Sequence, residues 1–390
     1  MMLYKKRLMI PGPTPIPEKV VQAGLEPMID ERTEEFGHLF SELLLNLKKI
    51  INTENDILIF SSSITGACEG TVQNLFSQGD HVLVINNGYF AERWIQICEA
   101  YNLIVHQVNF EFNEKVDFSK IKKILKENEQ IKGAICVFCE TSSGMMNDIE
   151  LFGAVTNDIL SIVDAASGLG VSEIKADQWG IDVVVSGGQK ALMTPPGISF
   201  VTVSDKAWKA NHTSNISKFY FDWQKAKKYS QEKYPHTPYT PAISLIFQLR
   251  EATNMILDDG LQNVYKKHEL LYKATREAVR SLGLKLVLEM DTVASSVTAA
   301  YLPEYINAEI FVEQLANEFG IQITDGPGIY KDKIIRIGHC GYMDPFDIIA
   351  TILAIETLLQ KRYGYNLIPG NAVQKAQEVF ANGNLVTSNI

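Results

Sequence analysis

Val183-Val184-Val185-Ser186-Gly187-Gly188-Gln189-Lys190-Ala191-Leu192-Met193-Thr194-Pro195-Pro196-Gly197 decides how this chain is read. The β-branched run is a buried-strand pattern. It stops at Ser186-Gly187-Gly188, where glycine lets the backbone turn and approach another group closely. Thr194-Pro195-Pro196-Gly197 can continue neither a helix nor a central strand. One lysine, Lys190, is therefore held on a rigid turn at a strand end, where open α/β sheets tend to bind ligands. A desolvated lysine loses its proton more easily and can form a Schiff base. A solvated surface lysine would fit this stretch alone equally well.

A carboxylate upstream separates the two readings. Ile162-Val163-Asp164-Ala165-Ala166-Ser167 ends another apolar strand with Asp164. Burial without a partner would neutralise that group, so a cation is expected beside it. The interval from Asp164 to Lys190 fits one strand–crossover–strand unit, which puts both at one sheet edge. An acid that keeps a pyridine nitrogen protonated, with an amine bound to the ring's aldehyde, makes a pyridoxal phosphate electron sink. Asp164 taken alone reads as a helix cap or loop carboxylate.

Around this pair runs a strand–helix alternation. Strands are expected at 57–60, 81–85, 103–108, 133–138, 160–163, 181–185 and 198–203. Helices are expected at 67–76, 91–101, 118–127 and 149–157. Val/Ile/Leu strands alternating with helices predict an α/β fold with a mainly parallel sheet covered on both faces. The last strand follows its neighbour too closely for a crossover helix and is expected to pair antiparallel.

Before the sheet, 11–17 is proline-rich and extended, and 34–51 carries an apolar stripe at helical spacing. After it, 208–240 reads as a long loop region with one helical piece. Helices follow at 244–257 and 261–281. Beyond Gly283 the pattern is that of a small α+β domain. Its strands are expected at 284–288, 296–300, 321–324 and 334–337, and its helices at 308–319 and 346–359. The division is an N-terminal segment 1–17, a large domain 18–260, a connecting helix 261–282, a small domain 283–369 and a tail 370–390. The tail reads as either a loosely docked helix or disorder.

Composition narrows the function classes. The 390 residues are 46% hydrophobic and 21% charged, with a net charge of −10, which suits a globular enzyme and not a nucleic-acid binder. No apolar run reaches membrane-spanning length, and Pro11 cuts short any signal-peptide core. The five cysteines are an odd, scattered set that fits reduced thiols in a cytoplasmic protein. Cys136 and Cys139 have paired spacing but sit in a strand-like run with no second pair, so no metal is expected.

Other strand ends add candidates. Ser61-Ser62-Ser63-Ile64-Thr65-Gly66-Ala67 opens a helix with hydroxyls and free backbone N–H groups, which can seat a phosphate or simply cap the helix. Asn87-Gly88-Tyr89-Phe90 offers an aromatic that could cover a ring or fill the core. Glu140-Thr141-Ser142-Ser143-Gly144 brings hydroxyls to the same edge. Arg336 is suited to grip a carboxylate or to serve a structural ion pair. His339-Cys340 has no oxyanion-loop signature, and adjacent residues seldom make a nucleophile pair.

Taken together, these residues resemble the class V aminotransferases of pyridoxal-phosphate fold type I, the alanine–glyoxylate and serine–glyoxylate branch. The likeness runs from Pro11 to about Leu359. It is carried by Ser186-Gly187-Gly188-Gln189-Lys190-Ala191-Leu192 with Pro195-Pro196-Gly197, then by Val163-Asp164-Ala165, Pro11-Gly12-Pro13-Thr14, Asn87-Gly88-Tyr89-Phe90, Thr240-Pro241-Ala242-Ile243-Ser244-Leu245 and Arg336-Ile337-Gly338-His339. The resemblance implies an aspartate-aminotransferase-like large domain with a seven-stranded sheet and a small C-terminal domain. It implies pyridoxal 5′-phosphate linked to Lys190, which also moves the substrate proton, with Asp164 on the pyridine nitrogen. Phe90 would stack on the ring, Ala166 would pack on its other face, and Ser142 would lie near the ring hydroxyl. Ser63, Ile64, Thr65 and Gln189 would hold the phosphate, and Arg336 the substrate carboxylate. Tyr239 and Thr240 would reach the phosphate of a second subunit, which implies a homodimer with shared sites.

The implied reaction moves the amino group of alanine or serine to a small 2-oxo acid such as glyoxylate or pyruvate. Glu31, in Glu31-Arg32-Thr33-Glu34-Glu35-Phe36, stands where the family often has His. Phe90 stands where the branch often has Trp. Both departures bear on substrate rather than cofactor. A lyase or cysteine desulfurase of the same fold is the alternative. Desulfurases usually carry His before the lysine and a mobile-loop cysteine, and Gln189 and the placement of Cys340 differ from that pattern. A nucleotide-binding or non-catalytic α/β protein is a third class, but the chain lacks a full dinucleotide glycine fingerprint.

Overall fold

The computed structural model describes residues 5–290 and 293–383. Seven strands form the main sheet: β1 (Asp56–Phe60), β2 (His81–Asn86), β3 (Ile104–Asn109), β4 (Ile131–Val137), β5 (Leu160–Asp164), β6 (Val183–Gly187) and β7 (Ser199–Val203). Their spatial order is β1-β7-β6-β5-β4-β2-β3. Only β7 runs against the others, pairing antiparallel with both β6 and β1. The short link from Gly187 to Ser199 leaves no room for the helix that a parallel return needs.

Apolar helices cover both faces. One face carries α1 (Glu18–Ala23), α2 (Glu34–Ile51), α5 (Phe118–Glu127), α6 (Ile149–Val155) and α9 (Ile243–Asp259), packed through residues such as Ala23, Phe36, Leu43, Phe152 and Leu249. The other carries α3 (Ile64–Leu75), α4 (Tyr89–Ala100), α7 (Asp205–Thr213) and α8 (Trp223–Ser230), packed through Val72, Trp94, Trp208 and Trp223. Each such side chain, fully buried, contributes about 1.5–3 kcal/mol relative to exposure. Residues 208–240 thus hold two helices rather than one. Both begin on capping side chains, Ser204 and Asp222, that accept backbone N–H bonds, and this short-range signal outweighs the weak apolar period.

The long helix α10 (Leu261–Ser281) leads to the small domain. There β8 (Val297–Tyr301), β9 (Thr324–Asp325) and β10 (Ile334–Gly338) form an antiparallel sheet in the order β8-β10-β9, with α11 (Ala308–Phe319) and α12 (Pro345–Tyr363). Two expected strands differ. Residues 284–288 touch β8 through an isolated Leu286–Ala300 bridge and do not form a full strand. Residues 321–324 split: Ile321–Gln322 pairs in parallel with Arg7–Leu8, while Thr324 belongs to β9. The N-terminal segment is therefore stitched to the small domain before it crosses to the large one. The start of the tail is a docked helix, α13 (Asn371–Asn382), with Ala372 and Ala376 buried in the small-domain core; residues 384–390 lie outside the described residues. No helix of the described residues is long and apolar enough to cross a membrane.

Candidate active site

In the parallel register Asp164 lies opposite Val185, two residues before the end of β6. The ends of β5 and β6 therefore open on one edge of the sheet. Lys190 follows on the turn, its backbone held from the far end of the chain. Thr14 Oγ1 donates to the Lys190 carbonyl at 2.7 Å, and Thr14 N donates to the Gln189 carbonyl at 3.1 Å. Lys190 Nζ donates to the Pro11 carbonyl at 2.9 Å. A Cβ on Gly12 would come within 2.6 Å of that Nζ, so only glycine lets the strap pass so close. Burial pushes the Lys190 amine below its ordinary range, Arg336 adds to this, and Asp164 opposes it. Such an amine is more readily the neutral nucleophile that an aldehyde requires.

Asp164 is 7% exposed. Its Oδ2 accepts from the Trp94 indole N–H at 2.9 Å and its Oδ1 from Ala166 N at 3.0 Å. Burial pushes its carboxyl up; those two donors, Arg93 and Lys190 hold it down. Four residues upstream of Trp94, on the same side of α4, is Phe90. Arg93 joins the group: its guanidinium lies 5.0 Å from the Phe90 ring centre, and its Nη1 donates to Thr65 Oγ1 at 3.4 Å.

Ser63 caps α3, its hydroxyl accepting from Gly66 N at 3.3 Å. The amides of Ile64 and Thr65 precede the helix's own hydrogen-bond ladder and are free for an anion. Gln189 lies against the same turn: a Cβ on Gly187 would touch both Ile64 and Gln189 Oε1. That oxygen is buried and has no hydrogen-bond partner among the described residues, a costly state that only a donor relieves.

Opposite stand Ser142 and Arg336. Ser142 Oγ donates to Glu140 Oε1 at 2.7 Å and accepts from Tyr89 N at 3.3 Å. Arg336 Nε donates to the Asp325 carbonyl at 2.8 Å and its Nη1 to the Thr141 carbonyl at 3.0 Å. It pairs with no carboxylate among the described residues, so the structural ion pair that was its other reading is absent there.

Tyr239 and Thr240 lie on a loop that passes Ser61, whose hydroxyl accepts from Ala242 N at 2.7 Å. The Tyr239 ring stacks on Tyr220 at 5.4 Å. The Thr240 hydroxyl donates to Glu31 at 3.4 Å, and Thr240 is exposed. The structure thus joins every candidate except these two in one connected group. A separate cavity of about 1010 Å³ between α6 and α10, lined by Trp179, Tyr265 and Val293, contains none of them. His339 and Cys340 are fully buried beneath the site. His339 bonds Thr298 at 2.9 Å and is pushed down to about 3 by burial, while the Cys340 thiol is pushed up to about 12 by burial. Neither is poised as a base or thiolate.

Residues 8–345 match the family model of class-V aminotransferases. The chain belongs to that family. Like its members, this class-V aminotransferase is a pyridoxal-phosphate-dependent transaminase of fold type I. It is 36% identical to the soluble hydrogenase small subunit of Synechococcus sp., over 97% of this chain and 99% of that protein. It is 32% identical to the serine–glyoxylate aminotransferase of Methylorubrum extorquens, over 95% of each. The crystal structure of ureidoglycine–glyoxylate aminotransferase from Bacillus subtilis superposes with a TM-score of 0.92 at 26% identity, covering 98% of this chain and all of that one. The residues present fit the cofactor: first-turn amides at Ile64 and Thr65 suited to an anion, a carboxylate held by N–H donors at Asp164, and a depressed amine at Lys190.

Three contributors escaped the sequence reading. Trp94 was legible only as a buried tryptophan in need of an N–H acceptor. Glu140 ends an apolar strand just as Asp164 does. The contact of Pro11 and Gly12 with Lys190 left no local signal.

Proposed function

We propose that this transaminase moves the amino group of a small amino acid to glyoxylate, with Lys190 as the cofactor-linked amine and proton carrier. The observation that carries the reading is that the buried Lys190 amine feels both Asp164, from its own sheet edge, and Arg336, from the small domain, while Arg336 pairs with no carboxylate among the described residues. The acceptor is supported by the two aminotransferases above, whose names share glyoxylate while their donors differ.

Bound at this edge, pyridoxal phosphate supplies an electron sink for the substrate's Cα. The chain's own groups set up its use. Asp164, held by Trp94 and Ala166, would keep a proton on the ring nitrogen. Phe90 and Ala166 would hold the ring, with Ser142 at its hydroxyl. Ser63, Ile64, Thr65 and Gln189 would hold the phosphate. Arg336 offers its remaining N–H groups to the substrate carboxylate in a two-bond grip. The Lys190 amine, beside the substrate's Cα, would be the group that moves its proton.

A second copy of the chain completes the site through Tyr239 and Thr240. Support comes from the exposed Thr240 hydroxyl and from the aromatic group of Phe219, Tyr220 and Tyr239, of which Phe219 is 75% exposed. Five free, buried cysteines support a cytoplasmic location.

Lys190→Ala abolishes the visible cofactor band; an intact band refutes the role of that lysine. With donor alone, the wild-type protein releases one equivalent of 2-oxo acid per subunit and stops. Continued release indicates the lyase alternative. A donor-by-acceptor panel, read by the product amino acid, names the pair. Light scattering tests the dimer.

A further inference from the structure

We propose that Glu140 is a positioning residue: one buried carboxylate sets both the ring-covering Phe90 and the substrate-facing Arg336. The inference rests on the transaminase reading above. Glu140 is fully buried. Its Oε2 accepts from Phe90 N at 2.9 Å and Ala91 N at 3.2 Å. Its Oε1 accepts from Ser142 N at 3.0 Å and Ser142 Oγ at 2.7 Å. All four contacts are donors aimed at its two oxygens, the pattern that an ionised carboxylate satisfies and a protonated one does not. Burial pushes the group up and these same donors hold it down.

The geometry makes Glu140 a joint between three parts of the site. It fastens the first turn of α4, which carries Phe90. It fastens Ser142, which in turn accepts from Tyr89 N. It is also the residue before Thr141, whose carbonyl braces Arg336. Burial pushes the Arg336 guanidinium below its ordinary range, and the charges of Asp325 and then Glu140 oppose this. Gly88 makes this possible, because a Cβ there would overlap the Glu140 side chain and come within 2.7 Å of Ser142 Oγ. No direct cation pairs with Glu140 among the described residues. Burying such a charge is expensive, and a fold that only needed filling here would do better with an apolar side chain.

The test uses the full-length protein with Glu140→Gln, Glu140→Asp and Gly88→Ala. A glutamine keeps the shape but turns an amide N–H toward backbone N–H groups. Glu140→Gln is expected to weaken pyridoxal phosphate binding by about tenfold or more, the worth of a charge-assisted hydrogen bond. It is expected to lower the visible-region circular dichroism per bound cofactor and to raise the donor KM more than it lowers kcat. Glu140→Asp retains the charge and should recover part of each. A Glu140→Gln protein that melts earlier yet keeps wild-type cofactor affinity, dichroism and KM overturns the proposal. If Glu140→Gln does not fold, Gly88→Ala, which displaces the same carboxylate, is judged by the same three readouts. A wild-type protein that takes up no cofactor would instead overturn the transaminase reading.

Discussion

Trp94→Phe removes one of the two hydrogen bonds that favour the ionised form of Asp164. Trp94 is 1% exposed, and its Nε1 is 2.9 Å from Asp164 Oδ2. A hydrogen bond to a buried charge is worth about 1.5–3 kcal/mol. The lost half of the indole adds a packing cost of about 1–2 kcal/mol. The variant should therefore be destabilised by about 2.5–5 kcal/mol where Asp164 is ionised. Burial already holds this carboxyl above the usual carboxylate range, and without the indole it rises further. A carboxyl raised on folding contributes stability in acid that is lost as pH rises through its folded value. In acid the protonated group no longer depends on the indole donor, so the cost of Trp94→Phe should shrink toward the packing part alone. Cofactor affinity needs the ionised form, so its acid limb should move toward neutral pH. Urea unfolding of the cofactor-free protein at neutral pH and at the most acid pH where it still folds measures the first effect. A pyridoxal phosphate titration read by absorbance across the same range measures the second. Equal destabilisation at both pH values, with an unmoved acid limb, would refute the reasoning.

Two further perturbations probe Lys190. Burial lowers its amine and Arg336 lowers it further, so Arg336→Gln should let it rise. Capture of pyridoxal phosphate by the cofactor-free protein, followed by stopped-flow absorbance, should then slow at neutral pH and need more alkaline conditions. An unchanged pH profile would show that Arg336 does not act on Lys190. Gly12→Ala places a Cβ against Lys190 at a φ of +139°, a backbone region that costs a non-glycine residue about 1–3 kcal/mol. Thermal melting should show that loss, and cofactor capture should slow as well; a variant with wild-type melting and capture would remove the strap from the account.

What the sequence made legible were features encoded next to one another in the chain. Strand ends punctuated by glycine, a lone lysine before Pro195-Pro196, and an acid closing the Leu160–Asp164 strand all carry their meaning locally. The reversed strand β7 was readable from the shortness of its connection. What stayed hidden had no local letter. Lys190 meets Pro11 across 179 positions, and the partner atom is a backbone oxygen that any residue possesses. Three of the four donors around Glu140 are backbone N–H groups. Residues 284–288 alternate like a strand, yet they touch β8 only through one bridge.

The same distinction explains why the site could be placed more easily than its substrate. Cofactor chemistry needs an amine and an acid at fixed strand ends, and a sheet register sets such positions to within a residue. On the proposed reading, substrate choice depends on groups that approach from elsewhere. Arg336 arrives on a separate three-stranded sheet, steadied by carbonyls of Asp325 and Thr141 from two different parts of the chain. Glu31 comes from the loop before α2 and meets Thr240 across 209 positions. The strap at Pro11 is tied to the small domain through Arg7–Leu8 and Ile321–Gln322 and bonds Lys190 in the large one. Movement of the small domain would thus shift Arg336 and the strap together. On the proposed reading, the substrate carboxylate and the lysine amine would then be coupled through backbone, by a link that runs through residues 7–14 and not through the pocket wall.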